Sequence, residues 1–549
     1  MTDFVPDRPV AYFCAEYGLQ ADLPLYAGGL GVLAGDTVKE TADQNFPLVA
    51  VGLLYRGGKA IQNVDESGWP NEIDLDIDPV KSGFEHVYAI DDSDQPLFVR
   101  IHLTTTDVWA RVWKRTVNNT TIYLLDTDTD QNEPEERGIA KALYYGSEEF
   151  LVKQQMILGI GGVKLLRFLD IHPVLYHVNE GRPAFLYWEV IRGLMDKESL
   201  SYKEAAQKAK EMIVYTNHTL VKAGNQSYDK SILENYGVYY AKKMGVGVEE
   251  LLAPGFEKGA ATFNMTRFAL NTARKASSVS QSHFELSKNI WPDYDWVNIT
   301  NGVHMPTWQD SEIGQADKAQ TEILWQVHAK KKQELVDFVQ QRTGFGYDPN
   351  RLVISWARRF AGYKRPTALF EDIKRLVAIV KDKDKPVQLL VTGKAHPTDT
   401  AAKKLIQEVI GYMKDQLSGN ALFIPNYDLD VSRYLVRGSD VWLNTPVVGQ
   451  EACGTSGMKA IANGVLQLTV EDGWTAEVDW HDIGWTLDSN HLTQTLYFRL
   501  EDDVIPMFYH RNEAGVPVEW VERMRRSIEL AERFSTTRML TEYKEKLYS

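Results

Sequence analysis

Along the second half of the chain, short apolar runs recur with polar punctuation between them. RLVISWA (351–357), PVQLLVTG (386–393), NALFIPN (420–426), DVWLNTP (440–446) and GVLQLTV (464–470) are apolar on consecutive residues rather than on alternate ones. That pattern predicts strands buried on both faces, as in a parallel sheet. The segments between them have helical spacing. Leu369, Ile373, Leu376 and Val380 fall at i, i+4, i+7 and i+11, and Leu405, Val409 and Met413 repeat every four residues. Strand–helix alternation of this kind predicts right-handed crossovers and a doubly wound α/β sheet. Ligands of such sheets bind outside the carboxyl ends of the strands. ARRFAGYKR, TGKAHP, PNYD and EACGTSGMK all fall there.

The first half is less regular but carries the same ingredients. YAGGLGVLAGD (26–36) reads as a glycine-rich loop opening a helix, and PVLYHVNEG (173–181) and EMIVYTNHT (211–219) read as strands ending in polar residues. Region 310–345 is charged and helical, as an interdomain connection would be. Helical spacing returns from Val518 in WVERMRRSIELAERF. The expected architecture is two doubly wound, Rossmann-like domains facing a cleft.

Composition narrows the classes. A chain of 549 residues exceeds one compact core, and its 44% hydrophobic content argues for packed domains over disorder. A formal charge of −15 repels nucleic acid and anionic membranes, so neither is an expected partner. Two cysteines, Cys14 and Cys453, make no disulfide framework. The start, MTDFVPDRPVAYFCAEYG, lacks the basic and apolar regions of a secretory signal, and no run approaches the ~20 apolar residues of a membrane span. A cytoplasmic location is expected.

Three features carry candidate chemistry. Arg358, Arg359, Lys364 and Arg365 cluster in WARRFAGYKRP. A solvated basic loop is the plain reading, but the position at a strand's carboxyl end favours a phosphate or sugar-phosphate. AGGLG fits neither G-x-G-x-x-G nor the P-loop pattern, though its glycines allow backbone amides to approach an anion or a sugar. His218, in YTNHT, is either structural or a hydrogen-bonding partner of substrate. No H-E-x-x-H or C-x-x-C occurs, so no metal site is expected.

Lys459 is the decisive position. It follows ACGTSG, a run too small to fill a core, and an ordinary surface lysine would leave that run unexplained. The alternative is a desolvated amine that captures an aldehyde cofactor. Pyridoxal phosphate (PLP) needs such a lysine, and Thr455, Ser456 and Gly457 offer hydroxyls and amides for its phosphate. The residues alone leave both readings open.

AYFCAEYGL, LPLYAGGLGVLAGD, PLVAVGLLYRGG, ILGIGGVKLLR, YHVNEG, YTNHT, ITNGVH, RRFAGYKR, PNYD and EACGTSGMKAIANG together resemble, in order and spacing, the motifs of the α-glucan phosphorylases. These are PLP-dependent enzymes that include glycogen and maltodextrin phosphorylases. The chain is most similar to the short bacterial and archaeal form. Because the first motif begins near residue 11, the amino-terminal regulatory extension of the longer enzymes, and control by AMP or phosphorylation through it, is expected to be absent.

The resemblance implies a GT-B fold. Residues 1–310 would form a glucan and glycine-loop domain, 311–520 a Rossmann-like domain holding PLP and phosphate, and 521–549 a helical segment packing back on the first domain. It further implies that Lys459 binds PLP covalently. Arg358, Thr455, Ser456 and the backbone of Gly29 match positions that hold the cofactor phosphate, with Gly457 beside them, and Tyr427 matches an aromatic position near cofactor and sugar. Arg359 and Lys364 match the pair that clamps the substrate phosphate. His218, Asn301 and Glu451 match residues that hydrogen-bond the glucosyl unit, and Gly28, Leu30, Cys453 and Gly454 lie in the same substrate-contacting stretches. Lys459, Arg359, Lys364 and His218 are thereby the implied catalytic set.

The implied reaction is reversible phosphorolysis of an α-1,4-glucan or maltooligosaccharide by inorganic phosphate. Phosphate, held against that of the cofactor, protonates the glycosidic oxygen, and the glucosyl unit is captured on the same face as α-D-glucose 1-phosphate, with retention. Neighbouring phosphates repel unless cations neutralise them, which accounts for the basic cluster. A homodimer is implied as well. The chain also departs from the family. GTSGMK stands where GTGNMK is commoner, Cys453 replaces a usual serine, LYYGS (143–147) departs from an LYGGD-like pattern, and Arg182 follows YHVNEG where related short sequences carry histidine. The arginine adds a fixed charge, which leaves the acceptor preference open.

Two other functional classes share some of these features. A nucleotide-sugar glucosyltransferase of the glycogen-synthase type tends to place a second glutamate eight positions after Glu451, where this chain has Lys459. A non-catalytic glucan-binding homologue would be expected to have lost that lysine or the phosphate clamp.

Overall fold

The apolar runs of the second half form one six-stranded sheet, parallel throughout. Its order across the sheet is Ala421–Ile424, Val387–Thr392, Leu352–Ala357, Val441–Asn444, Leu466–Val470 and Trp485–Leu487. Numbered along the chain, this is 3-2-1-4-5-6, with the winding reversed between Leu352–Ala357 and Val441–Asn444. Every residue of Leu352–Ala357 and of Val387–Thr392 is buried, which is why these runs do not alternate. The sixth strand, Trp485–Leu487, is too short to leave a sequence signal of its own.

This computed structural model describes residues 4–5, 8–57, 59–89, 95–219, 225–257 and 259–549. Of the motifs above, only the final glycine of PLVAVGLLYRGG, Gly58, lies outside them. The chain divides into two units. The first comprises Met1–Lys59, Asp74–Ile299 and Leu540–Ser549, and the second Ala60–Ile73 and Thr300–Met539.

The first unit is built on a ten-stranded sheet. Its parallel part runs Trp296–Asn298, Lys275–Ser278, Ile213–Thr216, Leu175–Asn179, Val10–Cys14, Leu48–Leu53 and Thr120–Asp126. In chain order that is 7-6-5-4-1-2-3, the same winding with one more strand, and it reverses between Val10–Cys14 and Leu175–Asn179. Antiparallel strands Thr106–Val117, Phe98–Leu103 and Glu85–His86 extend the edge beyond Thr120–Asp126. Alternating positions in FVRIHL are consistent with one face being more open there.

In the second unit, the charged region after residue 310 becomes the helices Ser311–Ala316 and Thr321–Thr343, the latter closed by Gly344 in the left-handed region at φ 78°. Its inner face is pinned at the amino ends of the strands. Asp440 accepts from Lys332 Nζ, from His328 Nε2 at 2.9 Å and from the Val353 amide at 2.7 Å. Burial alone would raise the Asp440 carboxyl, but the Lys332 ammonium and the His328 hydrogen bond hold it below its usual range. This anchoring leaves the opposite, carboxyl ends of the strands for other work. Among the described residues, no helix is long and apolar enough to cross a membrane.

Candidate active site

In the second unit, the strand Leu352–Ala357 delivers Arg358 and Arg359 directly at its carboxyl end, beside the reversal of the sheet. Arg358 is buried and Arg359 is exposed. A tight one-turn segment, Gly362–Lys364, then returns Lys364 inward, where it too is buried. Both buried cations converge on one carboxylate. Glu451 accepts from Arg358 Nη2 at 2.7 Å and from Lys364 Nζ, and its own amide donates to Asp472 Oδ2 at 2.9 Å. Arg358 also donates to Asn444 Oδ1, the last residue of the neighbouring strand, and Asn444 in turn donates to Thr469 Oγ1 at 2.9 Å. Arg358 Nε is buried with no hydrogen-bond partner in the protein.

The electrostatics follow from this crowding. Burial would raise the Glu451 carboxyl, yet Lys364 and Arg358 hold it below its usual range, so it stays ionised. Burial, with Arg358 next to it, pushes the Lys364 ammonium down to about 8 against the pull of Glu451. Lys364 is therefore a cation at neutral pH that is easily lost in alkali.

EACGTSGMK forms the loop after Val441–Asn444 and the short helix Ser456–Ile461. Gly454 sits at φ 84°, a left-handed position that disfavours any side chain, and an added Cβ would stand 3.1 Å from Glu451 Cγ. Burial raises the Cys453 thiol well above its ordinary value, so it is no nucleophile. Lys459 is 6% exposed, and its ammonium stands 3.9 Å from the ring centroid of Trp308, itself buried. An indole face receives a cation by its quadrupole. The desolvation expected from small neighbours is thus reinforced by an aromatic wall. Asn463 ties the two elements together, donating to the carbonyls of Trp308 and Lys459 at 2.9 Å each and accepting from the Asp310 amide at 2.8 Å.

Thr455 and Ser456 lie at the start of the short helix, where Ser456 Oγ meets Trp442 Nε1 at 3.4 Å, and Gly457 is close-packed against Gln467 and Trp474. Tyr427 follows Asn426, which turns the chain at φ 60°, and its hydroxyl donates to Ser432 Oγ at 3.4 Å. Asn301, in ITNGVH, is buried with its side-chain oxygen unpartnered in the protein. Arg538 fixes its backbone, donating to the carbonyls of Thr300 at 2.6 Å and Asn301 at 3.0 Å.

The remaining candidates are in the first unit, at the carboxyl ends of its central strands. Gly28 caps the helix Gly29–Asp43, and its amide and that of Ala27 donate to Glu16 Oε2 at 3.3 and 2.8 Å. A Cβ built on Gly28 or Gly29 meets nothing within 4 Å, whereas one on Gly31 would collide with Tyr26 and Glu16. Gly31 is thus required by packing, while Gly28 and Gly29 have open space on the side where a Cβ would stand, next to the half-buried Leu30. His218 follows the strand Ile213–Thr216. Asn179 donates to Cys14 Sγ at 3.2 Å, which turns its oxygen toward His218 Nε2 at 2.7 Å, so Nε2 carries the proton and Nδ1 is an acceptor. Burial pushes His218 down to about 3, with His283 and His177 adding to the effect, so the ring is neutral at working pH.

The expected residues therefore form two groups, one per unit: Gly28, Gly29, Leu30 and His218 in the first, the others in the second. Trp308, Asn444, Asn463 and Arg538 were missed. They act through contacts between segments far apart in the chain; Asn463 is the penultimate residue of the EACGTSGMKAIANG motif and Trp308 stands five residues after the ITNGVH motif's Val303, but neither position suggests its partner.

A family profile described as carbohydrate phosphorylase matches residues 265–484. A glycogen phosphorylase of Aquifex aeolicus is 34% identical, in an alignment covering 99% of this chain and 86% of the relative. A maltodextrin phosphorylase of Thermococcus litoralis is 35% identical over 99% of this chain and 71% of its own length, and a glycogen phosphorylase of Mycobacterium tuberculosis 34% over 98% and 70%.

Proposed function

The chain belongs to the carbohydrate phosphorylase family, and from that premise we propose that it is a PLP-dependent α-glucan phosphorylase, cleaving α-1,4-glucan with inorganic phosphate to α-D-glucose 1-phosphate with retention. The observation that carries this reading is the buried Lys459 amine on the Trp308 face, in the same unit as the Arg358–Glu451–Lys364 cluster. A nucleotide ribose would call for an acceptor at position 459, and a cation stands there instead.

The residues suit PLP on three counts. Lys459 is an amine held out of water. Arg358 has an unpartnered buried Nε suited to an anionic phosphate. Gly454 keeps side-chain atoms away from the turn that leads to Thr455 and Ser456. In this reading Lys459 anchors the cofactor, Arg358, Thr455 and Ser456 hold its phosphate, and Tyr427 flanks it. When bound, PLP supplies a second phosphate as proton partner of the substrate phosphate.

The protein's own groups do the rest. Arg359 and Lys364 bind and orient inorganic phosphate and lower the cost of bringing two phosphates together. Glu451 already engages Lys364 and Arg358, which keeps the cations oriented. His218, a neutral ring fixed by Asn179, presents Nδ1 as an acceptor to a sugar hydroxyl, and Asn301 presents its unpartnered oxygen likewise. Retention follows if phosphate both donates to the leaving oxygen and attacks from that face. The two units are read as Rossmann-like domains of a GT-B fold, on the strength of their shared strand winding, with the active form a cytoplasmic homodimer.

The test is chemical. Purified protein supplemented with PLP is reduced with borohydride and mapped by peptide, then assayed for glucose 1-phosphate from maltooligosaccharide and phosphate. A pyridoxyl group on Lys459 and phosphate-dependent product are expected. A well-folded protein that takes up no cofactor and uses UDP- or ADP-glucose would overturn the reading.

A further inference from the structure

Gln62 belongs to no motif singled out in the sequence, yet its buried side-chain amide is used at both its donor and its acceptor. It lies in a two-stranded ribbon, Lys59–Val64 and Pro70–Leu75. Residues Ala60–Ile73 belong to the second unit, although the chain on either side of them belongs to the first. The outer turn of the ribbon rests on the helix Thr400–Lys414. Gln407 Nε2 donates to the carbonyl and hydroxyl oxygens of Ser67 at 3.2 Å each, and Lys414 Nζ donates to the Glu66 carbonyl at 2.8 Å. These contacts are exposed.

At the inner end Gln62 is 1% exposed. Its side-chain oxygen accepts from the Asn426 backbone amide at 3.1 Å, while the Gln62 backbone amide donates to Asn426 Oδ1 at 3.3 Å. Its Nε2 donates to the Gly393 carbonyl at 3.2 Å. Gln62 thus joins the carboxyl ends of Val387–Thr392 and Ala421–Ile424. Each of the two positions it grips leads to a site residue. Asn426 makes the left-handed turn immediately before Tyr427. Gly393 lies so close to the backbone of Arg358 that an added Cβ would fall 2.0 Å from its carbonyl oxygen, and the Arg358 amide donates to the Thr392 carbonyl at 3.2 Å.

We propose that Gln62 is a positioning residue for the cofactor side of the site, acting through Asn426 on Tyr427 and through Gly393 on Arg358. A buried amide whose donor and acceptor are both used fixes two backbone segments at once, which an apolar residue of the same length cannot do. The inference rests on the PLP reading of Tyr427 and Arg358.

The test compares holoenzymes of Gln62→Met, Gln62→Glu and Gln407→Ala with the unsubstituted protein. Cofactor absorbance is followed during dialysis against cofactor-free buffer, and KM is measured separately for inorganic phosphate and for maltooligosaccharide. Gln62→Met loses about two buried hydrogen bonds and is expected to release cofactor about tenfold faster, with a raised phosphate KM and a glucan KM within about twofold. Gln62→Glu keeps the acceptor for Asn426 but not the donor to Gly393, and should fall between. Gln407→Ala loosens only the outer turn and should retain cofactor normally. Cofactor release at the unsubstituted rate in Gln62→Met, or equal losses in Gln62→Met and Gln407→Ala, would overturn the proposal. If Gln62→Met fails to fold, Gln62→Asn keeps a polar amide in the pocket but is too short to hold the Asn426 amide and the Gly393 carbonyl together. It should show a smaller shift in the same direction, and no shift would overturn the proposal. An unsubstituted protein that never takes up PLP would overturn the functional reading and the inference together.

Discussion

The two units wind their sheets in the same order, yet the carboxyl ends of the strands differ in charge. In the second unit, Arg358, Arg359, Lys364 and Lys459 gather there, and Glu451 among them is held ionised by two of these cations. In the first unit the same place mixes charges. Burial pushes His218 down to about 3 and raises the carboxyls of Glu16 and Glu180, which accept hydrogen bonds and are pulled back by the Arg182 guanidinium. Glu180 accepts from the Gly181 and His218 amides and the Tyr215 hydroxyl, and it holds a left-handed backbone at φ 67°. One sheet end gathers cations, and the other offers mainly hydrogen-bonding groups with carboxyls and an arginine among them. The difference teaches that strand winding supplies the place for a ligand, while the residues just past each strand choose its charge.

The sharpest way to break that contrast is at Lys459. Lys459→Ala should abolish cofactor binding and activity while leaving Tm nearly unchanged, since a lysine on an indole face contributes about 0.5–2 kcal/mol through that contact. Absorbance after borohydride reduction, with a thermal melt alongside, reads both. An active, cofactor-free variant would sink the assignment.

Arg358→Ala should come next. It leaves Glu451 buried with Lys364 alone, and breaking one partner of a buried ion pair costs about 3–5 kcal/mol. A lowered Tm together with weak cofactor retention is expected. Arg359, being exposed, separates the effects: Arg359→Ala should raise the phosphate KM severalfold with little change in Tm or in glucan KM. Equal losses for phosphate and glucan would remove Arg359 from the phosphate side of the comparison.

In the first unit, His218→Phe removes a ring acceptor and leaves Asn179 Oδ1 without its donor. A loss of about 1–3 kcal/mol in glucan binding is expected, roughly ten- to a hundredfold in glucan KM, with phosphate KM unaffected. Because the ring is already neutral, the pH profile should keep its shape.

Much of this was legible in the residues. Runs such as RLVISWA and PVQLLVTG are buried on both faces, so their apolar continuity survived as a direct signal of parallel strands. Gly454 and the Lys459 loop were legible because small residues have few other uses. What escaped depends on long-range pairing. Trp308 faces Lys459 only because Asn463 ties two distant loops, and Gln62 reaches Asn426 across 364 positions of chain. The antiparallel edge beyond Thr120–Asp126 was likewise unread, since its strands show mixed burial and no helix separates them.

A pH effect tests the second unit's cations alone. Lys364 takes up its proton at about 8 in the folded protein, and an unfolded lysine does so near 10.5. Between those values the unfolded chain binds more protons, so this group's contribution to stability rises with pH. Phosphate binding runs the other way, because it uses the charged form. The phosphate KM should therefore be flat below pH 8 and climb above it, by up to about tenfold per unit, with no matching fall in Tm from this group. Bound phosphate favours the protonated lysine, so saturating phosphate should move the midpoint upward. Lys364→Arg keeps its charge throughout and should erase the alkaline limb, even if its geometry weakens binding at every pH. Glucan KM should not follow, since His218 changes no charge in that range. If glucan and phosphate KM rise together above pH 8, the two sheet ends do not divide the substrates by charge, and the contrast between them fails.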